Sequence, residues 1–151
     1  MKKLLSVAVL VAAAFAVAAS AQQKPNFSGT WVLVGATGGA TQEETIEHTA
    51  TTLTLSHAAS HDSHHGIVFK LDGTESRNVL ASHGEQIVSL STASWNGDQL
   101  VILRKTTYPD GRKIDSRITF ALNSDGQLVQ ELVDTSDGKV GPKITTVKRR
   151  K

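Results

Sequence analysis

The chain has 151 residues, no cysteine, and 16 Lys and Arg against 14 Asp and Glu. The missing cysteines exclude disulfides, a thiol nucleophile and cysteinyl metal sites together, so stability must come from a packed core. So small a charge excess excludes the strongly basic class of nucleic-acid binder.

Residues 1–21 read as an export leader. Lys2 and Lys3 make a short positive start, Leu4 to Ala18 an apolar run, and Ala19-Ser20-Ala21 a small-residue cleavage site before Gln22. The run is short for a membrane span of about 20 residues, and no basic stop follows it. The expected organisation is a cleaved signal peptide at 1–21 and one domain at 22–151, exported to the periplasm or beyond the cell, with no membrane span in the mature protein. Removing 21 residues from 151 leaves 130, enough for one core. Losing Lys2 and Lys3 leaves 14 basic against 14 acidic residues, so the basic character belongs to the leader. The closing Lys148-Arg149-Arg150-Lys151 then reads as a solvated end, and no nucleic-acid partner is expected.

The first candidate strand is Asn26 to Val34, with Phe27 as an apolar anchor, Gly29 for close backbone approach, and Trp31 leading into aliphatic residues. A glycine-rich connection, Gly35 to Thr41, follows and has no phosphate-cradling pattern. Glu43 to His48 and Thr51 to His57 read as strands; in the second, Leu53, Leu55 and His57 share one face. Further strands are expected at Ile67 to Leu71, Glu75 to Leu80, Gln86 to Trp95, Leu100 to Thr107, Ile114 to Leu122, Leu128 to Asp134 and Pro142 to Lys148. Asn96-Gly97 is the strongest hairpin signal, and Pro109-Asp110-Gly111 presets another turn.

Turn glycines at 73, 84, 97, 111, 126 and 138 recur every 11 to 15 residues. That spacing suits strands joined by hairpins at each glycine, and no segment has a helical period. The expected fold is all-β: an antiparallel up-and-down meander closing into a barrel of about eight to ten strands, because closure removes exposed edges.

Phe27-x-Gly29-x-Trp31 resembles the first-strand motif of lipocalins and intracellular fatty-acid-binding proteins. Leu71-Asp72-Gly73-x-Glu75-Ser76-x-Asn78 and Ser94-Trp95-Asn96-Gly97-Asp98-x-Leu100-Val101-Ile102 are similar to stretches of small exported bacterial proteins regarded as lipocalin-like. The resemblance implies a lipocalin-like barrel, with Trp31 plugging one end and a late basic residue, Lys148 or Arg149, stacked on it. It departs from fatty-acid-binding proteins twice. Val34 to Gln42 cannot form their helical lid, and the last strand lacks their Arg-x-Tyr carboxylate pair.

The function expected is non-enzymatic binding or carriage of a small hydrophobic molecule, with Trp31, Phe69, Ile118 and Phe120 as ligand-contacting residues. The competing reading has the same four filling the core. No catalytic residue is expected, since no G-x-S-x-G elbow or ordered Ser/His/Asp set occurs. Glu43, Glu44 and Glu47 read as the polar face of an edge strand, and His48 and His83 as surface or turn residues. No cofactor is expected. The alternative is metal buffering by His57, His61, His64 and His65, four imidazoles within nine residues that include Asp62. Their spacing is not that of an H-E-x-x-H helix, and a His-rich polar loop is the simpler reading. A third possibility is an interaction module whose outer face meets another envelope protein.

Overall fold

The computed structural model describes residues 23–35, 43–57, 66–82 and 84–151. The proposed leader therefore lies outside the described residues. Among the described residues eleven strands form one antiparallel sheet: β1 (Gly29–Leu33), β2 (Glu43–His48), β3 (Thr52–His57), β4 (Ile67–Lys70), β5 (Ser76–Ser82), β6 (Glu85–Asn96), β7 (Gln99–Thr107), β8 (Lys113–Leu122), β9 (Leu128–Ser136), β10 (Lys139–Val140) and β11 (Ile144–Arg150). No helix occurs among the described residues. The order across the sheet is β4-β3-β2-β1-β11-β9-β8-β7-β6-β5, with the two-residue β10 a side hairpin on β9. Ten strands thus make the wall, as the turn spacing predicted. The chain closes by pairing its first strand with its last, Trp31 opposite Arg150 and Leu33 opposite Lys148.

The six turn glycines all have positive φ, between 62° and 82°. At the two-residue turn between β9 and β10, Asp137 shares the left-handed conformation (φ 51°) with Gly138, the pairing a type I′ hairpin requires. One expected hairpin differs. Asp72 Oδ1 accepts from the hydroxyl and amide of Thr74 and turns the chain at Gly73, but β4 and β5 do not pair by backbone. Side chains bridge them instead. Asn78 accepts from the Val68 amide and donates to its carbonyl, both at 2.9 Å, and Ser76 Oγ accepts from the Lys70 amide at 2.7 Å. An amide side chain offers the same donor and acceptor as a peptide group, so it can replace a ladder rung while holding the strands farther apart. The barrel is nearly closed, with this seam as its discontinuity.

Period-2 alternation sends one face of every strand inward. One end of the interior is packed by Phe27, Trp31, Ile46, Leu53, Phe69, Leu100, Phe120 and Leu128, all 0–1% exposed. Trp31 donates its indole N–H to the Phe27 carbonyl at 2.9 Å, so the ring's one polar atom is satisfied. Gly29 has φ 141°, which a side chain rarely adopts, and a Cβ there would sit 3.8 Å from Trp31 Nε1. That conformation explains the glycine of the Phe-x-Gly-x-Trp stretch. The basic residue over Trp31 is Arg150, its guanidinium carbon 4.9 Å from the ring centroid, rather than Lys148 or Arg149. Strand register decides this: Arg150 is opposite Trp31, and Lys148 is one inward position farther on.

Candidate ligand-binding site

β2 lies between β1 and β3 and is no edge strand. Glu44 shares the inward face with Ile46 and is only 4% exposed, against the expectation that it sits on a polar outer face. Its Oε1 receives Gln130 Nε2 at 2.8 Å and Lys148 Nζ at 3.0 Å, while Oε2 lies 3.8 Å from His57 Nε2. The carboxylate therefore spans the inside of β1 to tie β2 to β9 and β11. Lys148, 12% exposed at its side chain, neutralises it.

Beside this group is a cavity of about 300 Å³, walled by Leu33, Leu55, Ile118, Phe120, Leu132 and Ile144, with Glu44, His57, Arg104, Gln130, Thr146 and Lys148 as its polar lining. Of the four residues expected to contact ligand, Ile118 and Phe120 line it. Trp31 and Phe69 belong to the packed end and do not. The interior is thus filled at one end and hollow at the other, so neither of the two sequence readings covers all of it. A second hollow, about 460 Å³, indents the outer face around Leu90, Leu103 and Val133, among the exposed charges of Lys105, Asp115 and Arg117. It is open to water on the outer surface and lacks the enclosing opposite wall of the interior cavity.

A row of polar side chains crosses five strands inside the barrel. In register these are Ser76, Ser91, Arg104, Ser116 and Asp134. Ser116 Oγ donates to Asp134 Oδ1 at 2.6 Å. Ser91 Oγ and Arg104 Nε are buried without a hydrogen-bond partner. Arg104 was not singled out from the sequence, although it shares a face with Leu100 and Ile102, which was the available signal.

His48, expected at the surface, is half-buried on the inward face of β2. It stacks on Phe27 at 5.6 Å and on Trp95 at 5.9 Å, and its Nδ1 accepts the Phe27 amide at 3.2 Å. Burial lowers its pKa from 6.5. His57 faces Glu44, whereas His61, His64, His65, Asp62 and His83 lie outside the described residues. Among the described residues no group of three or more His, Asp or Glu could hold a metal ion.

No family model matches this chain, and no curated protein matches it. Among solved structures 33 chains match. One is secretory abundant heat soluble protein 4 from Ramazzottius varieornatus, 14% identical, with a TM-score of 0.50 over 82% of this chain and 94% of that one. At that identity the likeness is one of fold.

Proposed function

We propose that this protein is an exported, non-enzymatic, lipocalin-like barrel that holds a small hydrophobic molecule in the hollow end of its interior. The observation that carries the reading is the cavity of about 300 Å³ whose aliphatic and aromatic wall continues from a tightly packed base. Burying apolar surface there would contribute about 25 cal/mol per Å², and the few polar groups on one side would fix orientation. A binding role is favoured over a catalytic one because Glu44, the buried carboxylate of the lining, is already engaged by Lys148 and Gln130. Export rests on the order of charge, apolar run and small-residue site in residues 1–21.

Calorimetric titration of the purified protein with decanol tests the binding. Saturable one-to-one binding is expected, and Leu132→Trp, which fills the cavity, should abolish it without lowering the unfolding midpoint. Absent or non-saturable binding would count against the proposal. Export predicts that the protein recovered outside the cytoplasm begins at Gln22.

A further inference from the structure

The hollow on the outer face around Leu90, Leu103 and Val133 has no part in the interior site, and the side chains about it are ordered in a way that selects an occupant. We infer that this outer face of β5 to β9 docks a second copy of the chain, about a two-fold axis that crosses the strands. The outward residues of each strand then meet those of the same strand in the partner.

Outward positions on these strands form two neighbouring rows in register. One runs Arg77, Leu90, Lys105, Asp115 and Thr135; the other runs Thr92, Leu103, Arg117 and Val133, with Glu75 continuing it just before β5. A two-fold axis lying between the rows sets each residue of one row over the residue two positions along on the partner's matching strand. The charges then match. Arg77 meets the partner's Glu75, Asp115 meets the partner's Arg117, and symmetry repeats both contacts with no like charges face to face. The other strands follow the same rule: Leu90 covers the partner's Thr92, Leu103 the stem of the partner's Lys105, and Val133 the partner's Thr135. These groups are also unspent within one chain. Among the described residues none of Glu75, Arg77, Lys105, Asp115 and Arg117 is in an ion pair, although acid and base stand two apart on one strand at both β5 and β8. Leu103 is 52% exposed well inside the nine-residue β7, where a leucine gains from being covered. The hollow of about 460 Å³ leaves room for the partner's long Lys105 and Arg117 side chains. A partner of a single sign would meet like charges somewhere on this face, whereas a copy of the face supplies both signs at the matching positions.

Sedimentation velocity of the purified protein between about 1 μM and about 1 mM tests the inference, the range in which so small a face should associate. A monomer–dimer equilibrium is expected, and it should weaken as salt is raised. Arg117→Asp sets carboxylates against each other at both symmetry-related contacts and should weaken association at least about tenfold. Exchanging the two charges, Asp115→Arg together with Arg117→Asp, restores the match and should return the dissociation constant to within about threefold of the wild-type value. Leu103→Glu should also prevent association, by placing a charge at the centre of the face. All three positions are exposed, so these variants should fold. A protein that stays monomeric throughout, a dimer indifferent to Arg117→Asp, or an exchange no better than the single reversal overturns the inference. None of these results depends on whether decanol binds inside the barrel.

Discussion

The two ends of the barrel interior obey the same inward alternation and differ in what they do with their polar atoms. At the packed end no buried side-chain polar atom of the described residues is left without a partner: the Trp31 indole bonds the Phe27 carbonyl, and Arg150 covers the ring's face and bonds the Asn26 carbonyl. At the hollow end Glu44 is engaged by Lys148 and Gln130, yet Arg104 Nε is left buried and unpaired, as is Ser91 Oγ across the strand from it. One end is optimised for stability. The other keeps space and donors that stability alone would have eliminated, the pattern expected of a binding site.

The difference is broken most severely from the packed end. Trp31→Ala removes a fully buried indole from the packed core, and should cost about 3–5 kcal/mol in denaturant melts. A loss below about 1 kcal/mol would mean that this end is no better packed than a surface. At the hollow end, Lys148→Ala strands the Glu44 carboxylate in a poorly hydrated site and should cost about 2 kcal/mol. Replacing both partners, Glu44→Leu with Lys148→Leu, should cost less than the single change, because no charge is then left alone. A double variant worse than Lys148→Ala would show that the pair contributes net stability.

Most of the fold could be read from the chain because it is encoded locally. Turn glycines and Asn96-Gly97 fixed the hairpins, and alternation in stretches such as Ile114 to Leu122 fixed the faces. What escaped was encoded between distant segments. No local pattern says that Trp31 meets Arg150 and not Lys148, since that depends on the register of the first strand against the last. The failure at Gly73 has the same origin: the turn is local and was visible, while the choice of Asn78 to bond Val68 in place of a backbone rung was not.

The site was missed for a different reason. Glu44 and His48 alternate in phase with Ile46, and Arg104 with Leu100 and Ile102, so parity already placed all three inside. Their charge was allowed to outweigh their phase. In a barrel with a hollow end that ordering is wrong, because binding sites are where inward phase and polar chemistry coincide.

Arg104→Met tests whether the hollow end trades stability for function, and its sign should be opposite to that of Trp31→Ala. Removing a buried donor with no partner ends its desolvation penalty, while methionine keeps much of the volume of the stem. Stability in the absence of ligand should rise by about 1 kcal/mol. A fall of that size would indicate a structural role for the guanidinium and remove the reason for calling it a binding group.

The smallest effect expected is a dependence on pH confined to the packed end. His48 Nδ1 accepts the Phe27 amide proton, so this nitrogen must be unprotonated, and the ring lies between Phe27 and Trp95. Lys24 covers the Trp95 ring, its ammonium 5.4 Å from the centroid. Burial lowers the folded-state pKa below the 6.5 of a free imidazole. The unfolded chain therefore binds a proton at a higher pH than the folded one. The contribution of His48 is fully present above about pH 6.5 and is lost as pH falls from there toward the lowered folded pKa. Urea midpoints measured at about pH 7.5 and about pH 5 should fall further for the wild type than for His48→Gln, which has no proton to gain. The two proteins differ at this one residue, so the difference between the two slopes isolates His48. Parallel slopes would mean that the Phe27 contact does not feel the charge on the ring, and would leave the packed end without any sensitivity to acid from this histidine.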